Sequence, residues 1–83
     1  MKRKSRAHGE GLQLPFRELP NGCFVARMYG HEVGVCRGDA GWFFRNVRRV
    51  DGKETAEGAK FRRAKQAGVA ALDAARRAQA ARR

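Results

Sequence analysis

No run of about 18 apolar residues occurs in the chain, so a membrane-spanning helix is excluded on length alone. Large apolar side chains are scarce: five Phe, one Trp, one Tyr, two Met and a handful of Leu and Val. The hydrophobic share of 42% is made up in good part by alanines in the last third. A chain of 83 residues is one domain's worth. It buries only about 60–65% of the surface that it exposes when unfolded. A compact core is attainable on these terms; a deep substrate cavity inside it is not.

Catalytic and metal-binding patterns are missing as well. The eight carboxylates are scattered, and no Ser–His–Asp or Cys–His spacing stands out. Arg37-Gly38-Asp39 reads as a loop, and the glycines at 30, 34, 38 and 41 serve turns and close strand approach, with no phosphate-binding loop ahead of a helix. His8, Cys23, His31 and Cys36 are formally enough for a tetrahedral zinc site, but the chain lacks the tight CxxC pair that structural zinc sites draw on. Neither an enzyme, a cofactor nor a metal site is therefore expected. The start, Met1-Lys2-Arg3-Lys4-Ser5-Arg6, is basic as a signal peptide begins, yet no apolar stretch follows it. The expected location is cytoplasmic, with Cys23 and Cys36 remaining thiols.

What the chain has in abundance is positive charge. Nineteen Lys and Arg against eight Asp and Glu give a formal net charge of +11. Such an excess destabilises a compact monomer by self-repulsion and calls for a partner. Arg dominates, and its planar fork suits phosphate. Nucleic acid, DNA or RNA, is the expected partner because neutralising phosphates releases counterions. A membrane and a small-molecule substrate are not expected.

Three zones separate along the sequence, without internal repeats. Residues 1–11 are basic and polar and read as a flexible arm. Residues 12–50, rich in Phe, Val, Gly and Tyr with turn signals at short intervals, read as a strand meander, and residues 55–80, rich in Ala, Arg, Lys and Gln without proline, read as a helix. The expected strands are 12–19, 23–29, 32–37 and 42–50. Pro20-Asn21-Gly22 marks the first turn. At the next, two registers stand open. With Tyr29-Gly30 as the turn, Arg27 faces Glu32 and Cys23 faces Cys36. With Gly30-His31 as the turn, Met28 faces Val33 and Ala26 faces Val35. Both put Phe24, Ala26, Met28, Val33 and Val35 on one face, the core face. In the last strand Trp42, Phe44 and Asn46 point one way and Phe43, Arg45 and Val47 the other, with the inward set left open. Thr55 or Asp51 caps the helix, whose apolar side carries Phe61, Ala64, Gly68, Val69, Leu72 and Ala75. The expected fold is α+β: a three- or four-stranded antiparallel meander followed by one long C-terminal helix packed on the sheet, in a single domain over 12–83. In topology alone this resembles the three-stranded DNA-reading domains at the start of phage integrases, with 22–27 and 38–45 compatible with such a sheet. That is a likeness of fold and carries no function.

Candidate binding residues follow from the charge pattern. Lys2, Arg3, Lys4 and Arg6 form an arm suited to a groove or a phosphate backbone. Arg45, Arg48 and Arg49, following Trp42 and Phe44, combine cations with flat rings. Arg62, Arg63 and Arg77, flanked by Lys60 and Lys65, make a basic helical face, and Arg27 adds a cation on the outer sheet face. The expected mechanism is electrostatic docking with no sequence-specific reading. The alternative is a small inhibitor from a phage or other mobile element, of the anti-CRISPR kind, whose basic surface docks on an acidic protein or a nucleoprotein.

Overall fold

The computed structural model describes residues 12–81 apart from Leu14. It is an antiparallel sheet followed by one helix, an α+β arrangement. The strands are β1 (Arg17–Glu18), β2 (Phe24–Met28), β3 (His31–Gly38), β4 (Gly41–Arg48) and β5 (Glu54–Phe61), and the helix is α1 (Ala64–Ala81). The five strands lie side by side in chain order, so every connection is local.

The turn at Tyr29-Gly30 decides the first of the open registers. Tyr29 and Gly30 have φ of 55° and 74°. Positive φ at both central residues matches the two-residue turn whose twist fits a right-twisted hairpin. Arg27 consequently pairs with Glu32 and Ala26 with Val33. On one face stand Phe24, Ala26, Val33, Val35, Trp42 and Phe44, all buried, together with His31 and Asn46. Trp42 and Phe44 are thus core residues, at 5% and 6% exposure. Burying each such side chain contributes about 1.5–3 kcal/mol. Phe43, Arg45 and Val47 take the outer face by alternation.

The same register places Cys23 and Cys36 opposite each other, with Cα atoms 4.4 Å apart, and a disulfide joins them. The expectation of two thiols is overturned here: antiparallel neighbours at this separation fall within the reach of a disulfide.

Residues 54–61 depart most from the sequence reading. They form the fifth strand and not the first turns of the helix. β5 pairs with β4 through Trp42↔Phe61, Phe44↔Gly58 and Asn46↔Ala56, with two register shifts. One extra residue enters near Lys60, at φ 72°, and another at Thr55. Sheet packing wins because Phe61 covers Phe44, ring centroids 6.0 Å apart, and Gly58 leaves room for the Phe44 ring. A helix over these residues would leave β4 as an uncovered edge. The helix also starts later than expected, so neither Thr55 nor Asp51 caps it. Gln66 does that instead: its Oε1 accepts the backbone N–H of Arg62 and of Arg63, each at 3.2 Å, which is the reach-back half of a capping box.

α1 crosses β3, β4 and β5. Ala64, Ala67, Gly68, Ala71 and Ala75 are its buried residues. Val69, expected on that side, is 62% exposed, because the buried stripe turns toward Ala67 and Ala71. The expected strand over 12–19 shrinks to Arg17–Glu18, since Leu12 and Phe16 pack onto the helix at Gly68.

Two stability effects follow. A Cβ at Gly58 would stand 2.7 Å from Phe44 Cε2. Gly58→Ala is expected to cost about 1–3 kcal/mol, read as a lower urea midpoint at unchanged slope. Reducing the disulfide, which spans a sequence separation of 13, should lower stability by about 3 kcal/mol. Far-UV circular dichroism should stay native, because β2 and β3 remain paired along all of β2.

Candidate nucleic-acid interface

The fold separates the cations singled out by sequence. Lys2, Arg3, Lys4 and Arg6 lie outside the described residues. The others, Arg77 on α1 apart, fall into three places: the outer sheet face, the turn between β4 and β5, and the junction of β5 with α1.

On the outer face, Arg27 stands opposite Glu32, and Arg45 lies beside both Glu54 and Glu57 in the register of β4 with β5. Arg45 Nε donates to Glu54 Oε1 at 3.0 Å. Glu57 is pushed above the usual carboxylate range by Glu54, which shares a hydrogen bond with it and repels its charge. Arg17, paired in register with Val25, adds a cation to this face. Its cations and carboxylates alternate, so the face carries little net charge.

The turn after β4 is built around Asp51. Its carboxylate accepts from Arg48 Nε at 3.1 and 3.2 Å, from Arg48 Nη2, and from the backbone N–H of Lys53 at 3.1 Å. The Arg48 hydrogen bond, followed by that of Lys53, holds Asp51 far below the usual carboxylate range. Arg48 is in turn raised, chiefly by its hydrogen bond to Asp51. Its guanidinium is therefore committed inside the molecule. Arg49 is different. Its backbone N–H donates to Gly30 O at 2.9 Å, which fixes its position, while its exposed side chain has no carboxylate partner among the described residues.

At the junction, Lys60, Arg62, Arg63 and Lys65 are all exposed. None has an ion-pair partner among the described residues, and the sequence holds no carboxylate between Glu57 and Asp73. Arg37 joins them from the neighbouring strand end, since it pairs with Trp42 and Trp42 with Phe61. The frame beneath is fixed: Ala64 is fully buried, Phe61 pairs with Trp42, and Gln66 ties both arginine N–H groups. The helix begins with no acidic residue in its first turn. Cations there oppose the positive end of the helix dipole, an arrangement that an anion relieves. The described chain begins beside this place too, with Leu12 packed against Gly68 and lining a groove with Lys65.

The two ends do not act on one spot. β4 runs eight residues from the junction end to Arg48, about 25 Å at strand rise. Arg49 and the Arg62–Arg63 pair thus stand at opposite ends of the sheet. Lys60 and Lys65 belong with Arg62 and Arg63; the signal for all four is the carboxylate-free window 58–72.

Of the four residues weighed for zinc, His8 lies outside the described residues and the other three do not gather at one place. Cys23 and Cys36 are joined on the outer face, and His31 is buried on the inner one, its Nδ1 2.9 Å from Tyr29 O. Among the described residues no group of three metal-ligating side chains comes together, and no helix is long and apolar enough to cross a membrane. Compared with protein-family models, with curated proteins and with solved structures, the chain has no match.

The Asp51 geometry has a pH consequence. A carboxylate lowered in the folded state contributes stability that is present above its unfolded value of about 4. That contribution is lost as pH falls through the folded value. Asp51→Asn should lower the thermal midpoint at neutral pH. The gap between variant and parent should narrow as pH drops below about 4; a constant gap would show that the charge of Asp51 is not what holds the turn.

Proposed function

We propose that this protein is a small, non-enzymatic nucleic-acid-binding module that docks electrostatically on phosphates. The observation that carries the reading is the junction of β5 with α1. There Lys60, Arg62, Arg63 and Lys65 stand exposed without carboxylate partners among the described residues, on a frame held by Ala64 and Gln66. Arg49 offers a second point of attachment at the other end of the sheet, and the basic arm Lys2, Arg3, Lys4 and Arg6 adds to the charge. Arg48 acts in this scheme by shaping the turn that presents Arg49, Arg45 is paired with Glu54, and Arg27 stands opposite Glu32 in the sheet. Binding of this kind is independent of sequence, because phosphate contacts position a protein without reading bases.

One observation favours a second reading, the protein-targeting inhibitor. The outer sheet face interleaves Arg17, Arg27 and Arg45 with Glu32, Glu54 and Glu57, with the exposed ring of Phe43 at one end. Mixed charges beside an aromatic suit a protein surface better than a polyanion.

Fluorescence anisotropy with labelled nucleic acid, followed across salt, separates the two. A binder should lose affinity with a log–log slope of about 0.9 per phosphate engaged, hence at least about 3.5 in magnitude for the four junction cations. Arg62→Ala with Arg63→Ala should weaken binding to all sequences alike and reduce the slope by about 2. Arg49→Ala should lower affinity by a separate, additive amount, as expected of sites this far apart. Weak binding that disappears by physiological salt would reject the module and favour a protein target.

A further inference from the structure

We infer, resting on the nucleic-acid reading above, that the junction of β5 with α1 takes the phosphate backbone of a double helix and not a single strand. The argument is the fate of the aromatic residues. Binders of single strands pair a cationic groove with exposed rings on which successive bases stack. All seven aromatics of this chain lie among the described residues. Phe16, Phe24, Trp42 and Phe44 are buried, and Tyr29 and Phe61 are half-buried against them. Phe43 alone is exposed, at 37%, and it sits on the outer face opposite Cys36. Its neighbour Gly38 lies under its ring, and the face around it is charge-balanced. At the junction Phe61 is half-buried, and Phe43 stands on the outer face across from Ala59 and Lys60, so a single exposed ring and not a succession of them lies near the cations.

What the junction does offer is a fixed backbone from which exposed charges project. Lys60 is held in the left-handed region within a paired strand, and the N–H groups of Arg62 and Arg63 are tied to a single oxygen. Such a frame suits phosphates that are themselves fixed, as in a duplex carrying one negative charge per roughly 1.7 Å of axis. Of the five amide side chains, Gln13 and Gln79 are exposed and three are occupied. Asn21 accepts from the Cys23 N–H, Asn46 donates to Ala71 O, and Gln66 caps the helix, so these amides are engaged within the fold. The expected ligand is a duplex bound without sequence preference.

The test is a set of anisotropy titrations of the full chain with duplex DNA, duplex RNA and an unstructured single strand of equal length, at low and near-physiological salt. Duplex affinity is expected to exceed single-strand affinity by about tenfold or more, about 1.4 kcal/mol. The DNA and RNA arms show which duplex is preferred. Arg62→Ala with Arg63→Ala should reduce duplex affinity, and Phe43→Ala should leave it unchanged. All three residues are exposed, and an unchanged thermal midpoint verifies the fold of each variant. Equal or tighter binding of the single strand, above all if Phe43→Ala abolishes it, overturns the inference while leaving the nucleic-acid module standing. Absence of salt-dependent binding to any of the three ligands removes the module and the inference together.

Discussion

The close approach of α1 to the sheet is the constraint on which the rest of the fold depends. The buried helix residues are alanine and glycine, so backbone lies near the inner face, and Asn46 reaches across it to donate to Ala71 O at 2.8 Å. Small residues bring a cost: an alanine buries little apolar area, so the helix is not held by its own side chains alone. Leu12 and Phe16 make up part of the difference. A methyl at Gly68 would stand 3.3 Å from Leu12 Cδ2 and from Phe16 Cε2. The stretch before β1 therefore acts as a clasp on the helix, which is why so little of it joins the sheet.

That geometry also decides where charge collects. The core takes one face of the sheet, and the register of β2 to β5 distributes glutamates among the arginines of the other. Asp51 engages the cation nearest to it. The residues left over are those that the fold places at or just beyond strand ends, where no strand neighbour supplies a carboxylate. Among the described residues the positive charge is thus resolved into compensated regions, with Arg49 and the junction left uncompensated.

How far this was legible in the sequence differs from element to element. The faces of β2 and β3 could be read because Phe24, Ala26, Val33 and Val35 keep a strict period of two, which either register preserved. Choosing the register, and with it the Cys23–Cys36 bond, required knowing which pair of residues forms the turn. The fifth strand was hidden for a physical reason. Two inserted residues, near Thr55 and Lys60, break its alternation, and its Ala, Glu and Lys content matches that of the helix which follows. Tertiary packing on Phe44 overrides local preference there. At the site, Arg62 and Arg63 were visible from charge alone. The internal engagement of Arg45 was not, because Glu54 lies across a register that the sequence reading did not contain.

Among the described residues the fifth strand is an edge of the sheet, and unpaired strand edges are templates on which a second copy adds. Here the edge carries Glu54, Glu57 and Lys60 and two irregularities of register within eight residues. A copy approaching to zip alongside would meet carboxylates and a backbone whose donors and acceptors are out of step. The edge therefore discourages a second copy from extending the sheet, so crowding of the protein need not end in strand-to-strand aggregation.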